Sequence, residues 1–144
     1  MKLKILGFVL LVALSFYGYW LWRPQTVSTV VIGNQIVKVT VASNQQDLSK
    51  GLAGVKQLDW DQGMLFIFPK PSLYQFWMKD MLIPIDIIWL KGNQIVDITA
   101  NVPPPADLAN QTDLPLYNAK QTADTVLEVK AGFAEKYQVK IGDT

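Results

Sequence analysis

The 144-residue sequence contains neither histidine nor cysteine, and Arg23 is its only arginine. Without histidine there is no Ser-His-Asp triad and no Cys-His nucleophile, and the commonest protein ligand for zinc and haem is missing. Without cysteine no disulfide can form, so thiols give no information about the redox compartment. Any chemistry in this chain therefore depends on carboxylates, lysine, tyrosine, hydroxyls or backbone groups.

Clusters of basic residues are also missing beyond the N-terminal region. Residues 24–144 carry ten lysines against twelve aspartates and glutamates, which gives a net charge of −2. Nucleic-acid-binding proteins need basic patches, because phosphate contacts supply most of their affinity. The composition therefore predicts no nucleic-acid partner.

The first 23 residues differ from the rest of the chain. Lys2 and Lys4 precede residues 5–22, which are uncharged and numerous enough to span a bilayer as a helix. Four aromatics lie at the outer end of this run, as in an interfacial belt. Ala13-Leu14-Ser15 is only an approximate cleavage site and lies inside the run, which favours an uncleaved anchor over a signal peptide. The positive-inside rule then predicts a cytoplasmic N-terminus and an extracytoplasmic C-terminal domain at the cell membrane.

Short apolar runs separated by turn residues dominate the remaining sequence. Gly33-Asn34 and Gly92-Asn93 each separate two such runs and predict β-hairpins with two-residue turns. Ser43 or Asn44 is placed to cap a short helix. Further predicted elements are a hairpin of strands 63–68 and 74–78, a strand at 125–130, a helical turn at 132–137 and a last strand at 139–141. The pattern is typical of a mostly β (β-rich α+β) single domain, barrel-like or sandwich in form, with one or two short helices.

These elements divide the chain into three parts. They are a membrane anchor at 1–23, a linker with the first strand at 24–36, and a β-rich domain at 37–144. Within the domain, residues 101–122 form a long irregular segment with four prolines. Loops of this length are uncommon in compact domains and are often functional. We expect this loop to be mobile and to border the candidate site.

The segment 76–90 combines large aromatics with charges in an otherwise apolar stretch. Charges in such a stretch must be paired or hydrogen-bonded, so it marks either a functional site or an unusual core. Trp77 either covers one side of the sheet or lines a groove that suits sugars and peptides. The aromatic that would share this groove with Trp77 is Trp60, Tyr74 or Trp89.

Three charged residues accompany Trp77 in this segment. Lys79 is the cation next to the aromatic cluster, and we expect it to form a salt bridge with Asp80 or Asp86 rather than to act as a base or nucleophile. The candidate ligand-binding residues are therefore Trp77, Lys79, Asp80 and Asp86.

Asp86 and Glu128 each interrupt an apolar strand. If the two carboxyls face each other, they provide the acid and base of a glycosidase, or, with Asp80, the oxygen ligands of a divalent cation. The alternative is that each accepts hydrogen bonds from backbone N–H groups. Asp86 and Glu128 are the candidate catalytic residues. No metal is predicted, because the acidic residues do not follow the spacing of a calcium loop, and no cofactor is predicted, since Gly51, Gly54 and Gly63 match no phosphate-binding spacing.

Several segments of the domain resemble one family. They are GL at 51–52, GMLFIF at 63–68, FWMKD at 76–80, IPID at 83–86, and VLEV and AGF between 126 and 133. In this order they resemble the bacterial and archaeal family called domain of unknown function 192, over about 37–143. The resemblance implies a small β-rich single domain, often behind a signal peptide or membrane anchor, and no established activity, substrate or cofactor. The chain departs from the family at Asp80, where many members have Asn, and in lacking a Cys pair that some members carry in the loop after Pro103.

These observations predict a single-pass envelope protein whose outer domain is a binding module for a small ligand, a glycan or a protein. The alternative is a carboxylate-based hydrolase acting on glycan or cell-wall material; a third hypothesis gives the motif only a structural role. The sequence does not decide whether the protein is an enzyme. Carboxyls about 5 to 10 Å apart and open to solvent suit glycoside hydrolysis, whereas carboxyls bonded to backbone groups do not.

Overall fold

The computed structural model describes residues 26–144. They form, in chain order, β1 (Val27–Ile32), β2 (Gln35–Ala42), α1 (Gln45–Lys50), β3 (Gln62–Ser72), β4 (Ile85–Lys91), β5 (Gln94–Val102), β6 (Ala123–Lys130) and α2 (Phe133–Tyr137). Neither helix of this part of the chain is long and apolar enough to cross a bilayer. The predicted anchor at 1–23 lies outside the described residues.

The six strands form one sheet in the order β1-β2-β3-β6-β4-β5. β2 and β3 pair in parallel, and the other neighbours are antiparallel. The predicted mostly β domain with one or two short helices is confirmed, and it has two. The predicted barrel or sandwich form is wrong, because β1 and β5 are the edges of an open sheet. Helices and loops, rather than a second sheet, cover its two faces.

Two hairpins and the first helix form where the turn and cap residues predict them. Gly33 and Gly92 have φ values of +57° and +58°, which favour glycine, and each begins a two-residue turn. The side-chain oxygen of Asn44 accepts a hydrogen bond from the Asp47 amide at 3.0 Å and so caps α1. The α1 segment connects the parallel strands β2 and β3, which need such a crossover.

The predicted hairpin of strands 63–68 and 74–78 is not present. β3 pairs with β2 on one side and with β6 on the other, so both of its edges are occupied. Residues 74–78 leave the sheet, and Phe76 instead exchanges two backbone hydrogen bonds of 2.8 Å with Tyr117. The predicted last strand at 139–141 is also wrong, because Gln138 ends α2 with a φ of +56° and directs buried Val139 back toward the sheet.

Apolar side chains cover both faces of the sheet, since successive residues of a strand point to opposite sides. On the face covered by α1, called here the α1 face, the core includes Met64, Phe66, Ile87, Trp89 and Val126. On the opposite α2 face it includes Ile88, Leu90, Leu127, Val129 and Phe133. All of β4 except its last residue is buried, which explains its continuous apolar sequence.

Candidate functional site

A cavity of about 530 Å³ opens on the α1 face. Its walls come from α1, from β3 and from the irregular segment 74–81, and Glu128 of β6 also lines it. This volume lies within the range of small-molecule sites. The lining residues are Gln45, Leu48, Ser49, Lys50, Gly51, Leu52, Phe66, Phe68, Pro69, Tyr74, Gln75, Phe76, Trp77, Lys79, Met81 and Glu128.

Aromatic rings form much of the cavity wall. Phe68 and Tyr74 stack with ring centroids 3.7 Å apart, and Phe66 meets Phe76 edge to face at 4.9 Å. The Tyr74 hydroxyl donates a hydrogen bond of 2.8 Å to a backbone carbonyl outside the cavity lining, that of Lys70. Trp77 is 52% exposed. The rings thus offer flat apolar surfaces to a ligand.

Glu128 brings a carboxyl group to this apolar cavity. It lies opposite Met64 of β3 and Ile87 of β4, between two residues whose side chains point to the α2 face. The side chain is 5% exposed, and within residues 26–144 its buried Oε2 has no hydrogen-bond partner. Burial disfavours the charged form and raises the pKa of Glu128 to about 8. At neutral pH this group is therefore mainly an uncharged acid.

Gly51 makes room for the Glu128 carboxyl. It follows α1 with a φ of +54°, and a Cβ there would lie 3.4 Å from the Phe66 ring and 3.8 Å from Glu128 Oε2. A side chain at this position would be strained and would enter the cavity. The glycine therefore keeps the space beside the carboxyl open.

Asp86 has a different environment on the other side of the sheet. Its Oδ1 accepts hydrogen bonds from the amides of Asn101 at 2.8 Å and Gly132 at 3.1 Å. Its Oδ2 accepts one from the amide of Ala134 at 2.9 Å. The side chain is fully buried. Asp86 therefore joins β4 to the end of β5 and to the start of α2, which is the structural alternative considered for this residue.

The two candidate catalytic carboxylates do not face each other. In the β4–β6 ladder Asp86 is paired with Val129, and Glu128 is paired with Ile87. Val129 belongs to the core of the α2 face and Ile87 to that of the α1 face. Because paired residues share a face, Asp86 and Glu128 point to opposite sides of the sheet. The hypothesis of a facing carboxylate pair is wrong.

Residues 28–144 match the family described as Uncharacterized ACR, the domain of unknown function 192, or DUF192. The chain belongs to the DUF192 family. A crystal structure of a protein of unknown function from Novosphingobium aromaticivorans has 26% sequence identity and a TM-score of 0.73, covering 82% of this chain and 83% of that chain. A Sinorhizobium meliloti protein named as a candidate transcription regulator has 23% identity and a TM-score of 0.71, covering 85% and 94%. The second likeness concerns the fold alone. None of the curated proteins matches this chain.

Lys79 of this DUF192 domain lines the cavity without a carboxylate partner among residues 26–144. The one salt bridge in this range joins Lys38 and Asp61 at 2.9 Å. The expected salt bridge from Lys79 to Asp80 or Asp86 is therefore not formed. Instead the Lys79 Nζ lies 5.6 Å from the centroid of the Trp77 ring, within cation–π distance.

Asp80 is not among the residues that line the cavity; it contacts the long loop instead. It has a φ of +57°, its amide donates to Gln111 Oε1 at 2.7 Å, and its Oδ1 accepts from Gln111 Nε2 at 2.9 Å. Together with the pairing of Phe76 and Tyr117, these contacts confirm that the loop 101–122 borders the Trp77 segment. The mobility of the loop stays a prediction. No group of three metal-ligating side chains occurs among the described residues.

Sequence reasoning placed Trp77, Lys79, Tyr74 and Glu128 among the candidate residues, and the cavity brings these four together. It missed the wall formed by Phe66 and Phe68, although two residues two positions apart on a strand share a face. It also missed the contribution of α1. No sequence signal links α1 to β6, because their proximity depends on the parallel β2–β3 pairing.

Proposed function

We propose that this DUF192 domain is a binding module for a small ligand that enters the cavity on the α1 face. The observation that carries the proposal is Glu128, whose buried Oε2 faces the cavity without a partner in the described part of the chain. A buried unsatisfied polar group costs about 1 to 3 kcal/mol, and such groups call for an explanation. A ligand that bonds to Glu128 would recover this free energy.

The aromatic wall supports the same function. The stacked pair of Phe68 and Tyr74, with half-exposed Trp77, presents ring faces to a cavity of ligand size. Such surfaces suit the ring of an aromatic compound or of a sugar. Contact with a bound molecule would also explain why a side chain as large and apolar as that of Trp77 is 52% exposed.

The hydrolase alternative has less support. Each oxygen of Asp86 accepts at least one backbone hydrogen bond, and its side chain lies on the face opposite Glu128. Two-carboxylate glycoside hydrolysis needs two carboxyls that flank one glycosidic bond within a shared cleft. Glu128 alone does not provide that machinery.

The experiment records NMR chemical shifts of the full-length chain in a non-ionic detergent and measures how four small probes change them. The probes are benzoate, benzylamine, benzyl alcohol and N-acetylglucosamine. At least one probe should shift the signals of Gly51, Phe68 and Trp77 together. Trp77→Phe should weaken this binding. The control, Trp60→Phe, should not, because Trp60 packs with Tyr137 on the α2 face. If none of the four probes shifts these signals, the proposal is wrong.

We propose that this module lies outside the cytoplasmic membrane and is anchored by residues 1–23. This location is supported by the uncharged run at 5–22 and by Lys2 and Lys4 on its inner side. Cell fractionation should find full-length protein in membranes, and protease added from outside should remove the domain at 37–144. A soluble mature form beginning near residue 20 would contradict the anchor.

A further inference from the structure

We infer that the ligand of this cavity is a small organic acid that binds in one orientation. Its anionic group lies at the mouth beside Lys50 and Lys79, and a neutral hydrogen-bond acceptor at its other end bonds to Glu128. The inference rests on the proposed function, because it names the ligand class for the same cavity.

The charged groups that line the cavity all favour this ligand class. Its titratable lining residues are Lys50 from the last turn of α1, Lys79 and Tyr74 from the segment before β4, and Glu128 from β6. No second carboxylate lines it among the described residues. Both lysines are exposed, so they attract an anion from solution without paying for burial of the charge.

Glu128 acts in this arrangement as a hydrogen-bond donor. Since burial raises the pKa of Glu128 to about 8, the carboxyl is mainly protonated at pH 7. A protonated carboxyl donates one O–H, and a hydroxyl or carbonyl of a ligand can accept it. At neutral pH the lining thus carries two positive charges and hardly any negative charge.

A cationic ligand suits this distribution poorly. It would meet two like charges at the mouth and would have to deprotonate Glu128 to gain a partner. In the reverse orientation, the anionic group of the ligand would lie beside Glu128 and would lose its solvation there, in a place where burial already keeps the Glu128 carboxyl neutral. The favourable orientation keeps the anionic end in water near the lysines and the apolar body between the rings of Phe68, Tyr74 and Trp77.

The test uses three probes with one ring in common, titrated against the full-length chain in non-ionic detergent at pH 7. They are 4-hydroxyphenylacetate, tyramine, in which an ammonium replaces the carboxylate, and phenylacetate, which lacks the hydroxyl. At low salt 4-hydroxyphenylacetate should bind about tenfold more tightly than tyramine, and the difference should shrink in 0.5 M NaCl. Phenylacetate should bind several-fold more weakly than 4-hydroxyphenylacetate, because it leaves Glu128 unsatisfied.

Two variants test the two ends of the site. Lys79→Met should weaken binding of 4-hydroxyphenylacetate several-fold, whereas Lys91→Met should not, because Lys91 is an exposed lysine that does not line the cavity. In the wild type, affinity should fall as the pH rises from 7 to 9, because Glu128 loses its proton. Glu128→Gln keeps a donor that does not titrate, and the hydroxyl of the probe stays mostly protonated below pH 9, so its binding should change far less over this range.

Each other outcome contradicts the inference. If tyramine binds more tightly and its binding releases a proton, the ligand is a cation, while the proposed binding function stands. If 4-hydroxyphenylacetate binds equally well to wild type and Lys79→Met, or with no loss of affinity from pH 7 to 9, the assigned orientation is wrong. If none of these three probes binds although one of the four probes of the preceding experiment does, only the inference about the organic acid fails; if none of those four binds, the proposed function fails as well.

Discussion

Replacing Glu128 by glutamine removes a buried group that titrates, and it should stabilise the domain more as the pH rises. Burial raises the pKa of Glu128 from its usual value of 4.5 to about 8 in the folded protein. Between these two values the folded state binds the proton more tightly than the unfolded state does. Stability therefore falls as the pH rises through this window and levels off above pH 8.

The magnitude follows from the size of this shift. One pKa unit corresponds to about 1.4 kcal/mol, so at pH 5 the wild type has lost about 1 kcal/mol and at pH 7 about 3 kcal/mol. Glutamine has nearly the same shape and does not titrate. The difference in unfolding free energy between Glu128→Gln and wild type should therefore grow by about 2 kcal/mol in favour of the variant from pH 5 to pH 7.

Urea unfolding of the full-length chain at pH 5, 6, 7 and 8 measures this difference. Glu135→Gln is the matched control, because Glu135 is the only other glutamate and is exposed on α2. Its difference from wild type should stay nearly constant over the same range. A constant difference for Glu128→Gln as well would refute the reasoning, since it would mean that Glu128 does not remain protonated in the folded state at neutral pH.

Substitutions at three further positions test other parts of the domain. Asp86→Ala should lower the unfolding free energy by about 3 to 5 kcal/mol, because three backbone amides lose their acceptor. Asp86→Asn should lower the unfolding free energy by less. An unchanged melting temperature with lost binding would instead make Asp86 a functional carboxylate. Gly63→Ala should melt at a clearly lower temperature than wild type, since its Cβ would lie 2.6 Å from the backbone oxygen of Glu128; wild-type stability would mean that β3 and β6 separate easily. Limited proteolysis should cut first within 101–122, and slow hydrogen exchange throughout this loop would reject its mobility. Gln111→Ala removes the hydrogen bonds from Gln111 to Asp80, so it should speed hydrogen exchange at the Gly54 amide, which donates to the Asp80 carbonyl. Gln121→Ala is the control for this variant.

Local chemistry determined the parts of the fold that the sequence predicted. The turns at Gly33 and Gly92 and the cap at Asn44 each depend on a few neighbouring residues, and all three formed as expected. Strand partners depend on distant residues instead. The sequence predicts a hairpin of the run at 63–68 with the run at 74–78, whereas β3 pairs with β2 and β6. Neither run specifies these partners by itself.

The candidate site shows the same division. The sequence shows both Asp86 and Glu128 as acidic residues between apolar ones, and the structure buries both. The different roles follow from the β4–β6 register, which places one carboxyl among backbone amides and the other in a cavity. A shift of one residue in the pairing of β4 with β6 would turn the side chains of the shifted strand to the opposite face of the sheet. The sequence of either strand alone does not fix this register.

The central position of β6 affects the order in which the molecule can assemble. β6 lies between β3 and β4 in the sheet, yet it is the last of these six strands to leave the ribosome. Until they do, the β1–β2 and β4–β5 hairpins can form, but the two halves of the sheet have no strand to join them. Pairings between residues so far apart in the chain are slow to form. We therefore expect the cavity, which includes Glu128 of β6, to be completed only after β6 has been synthesised, and the free edges of β3 and β4 to need protection from aggregation until then.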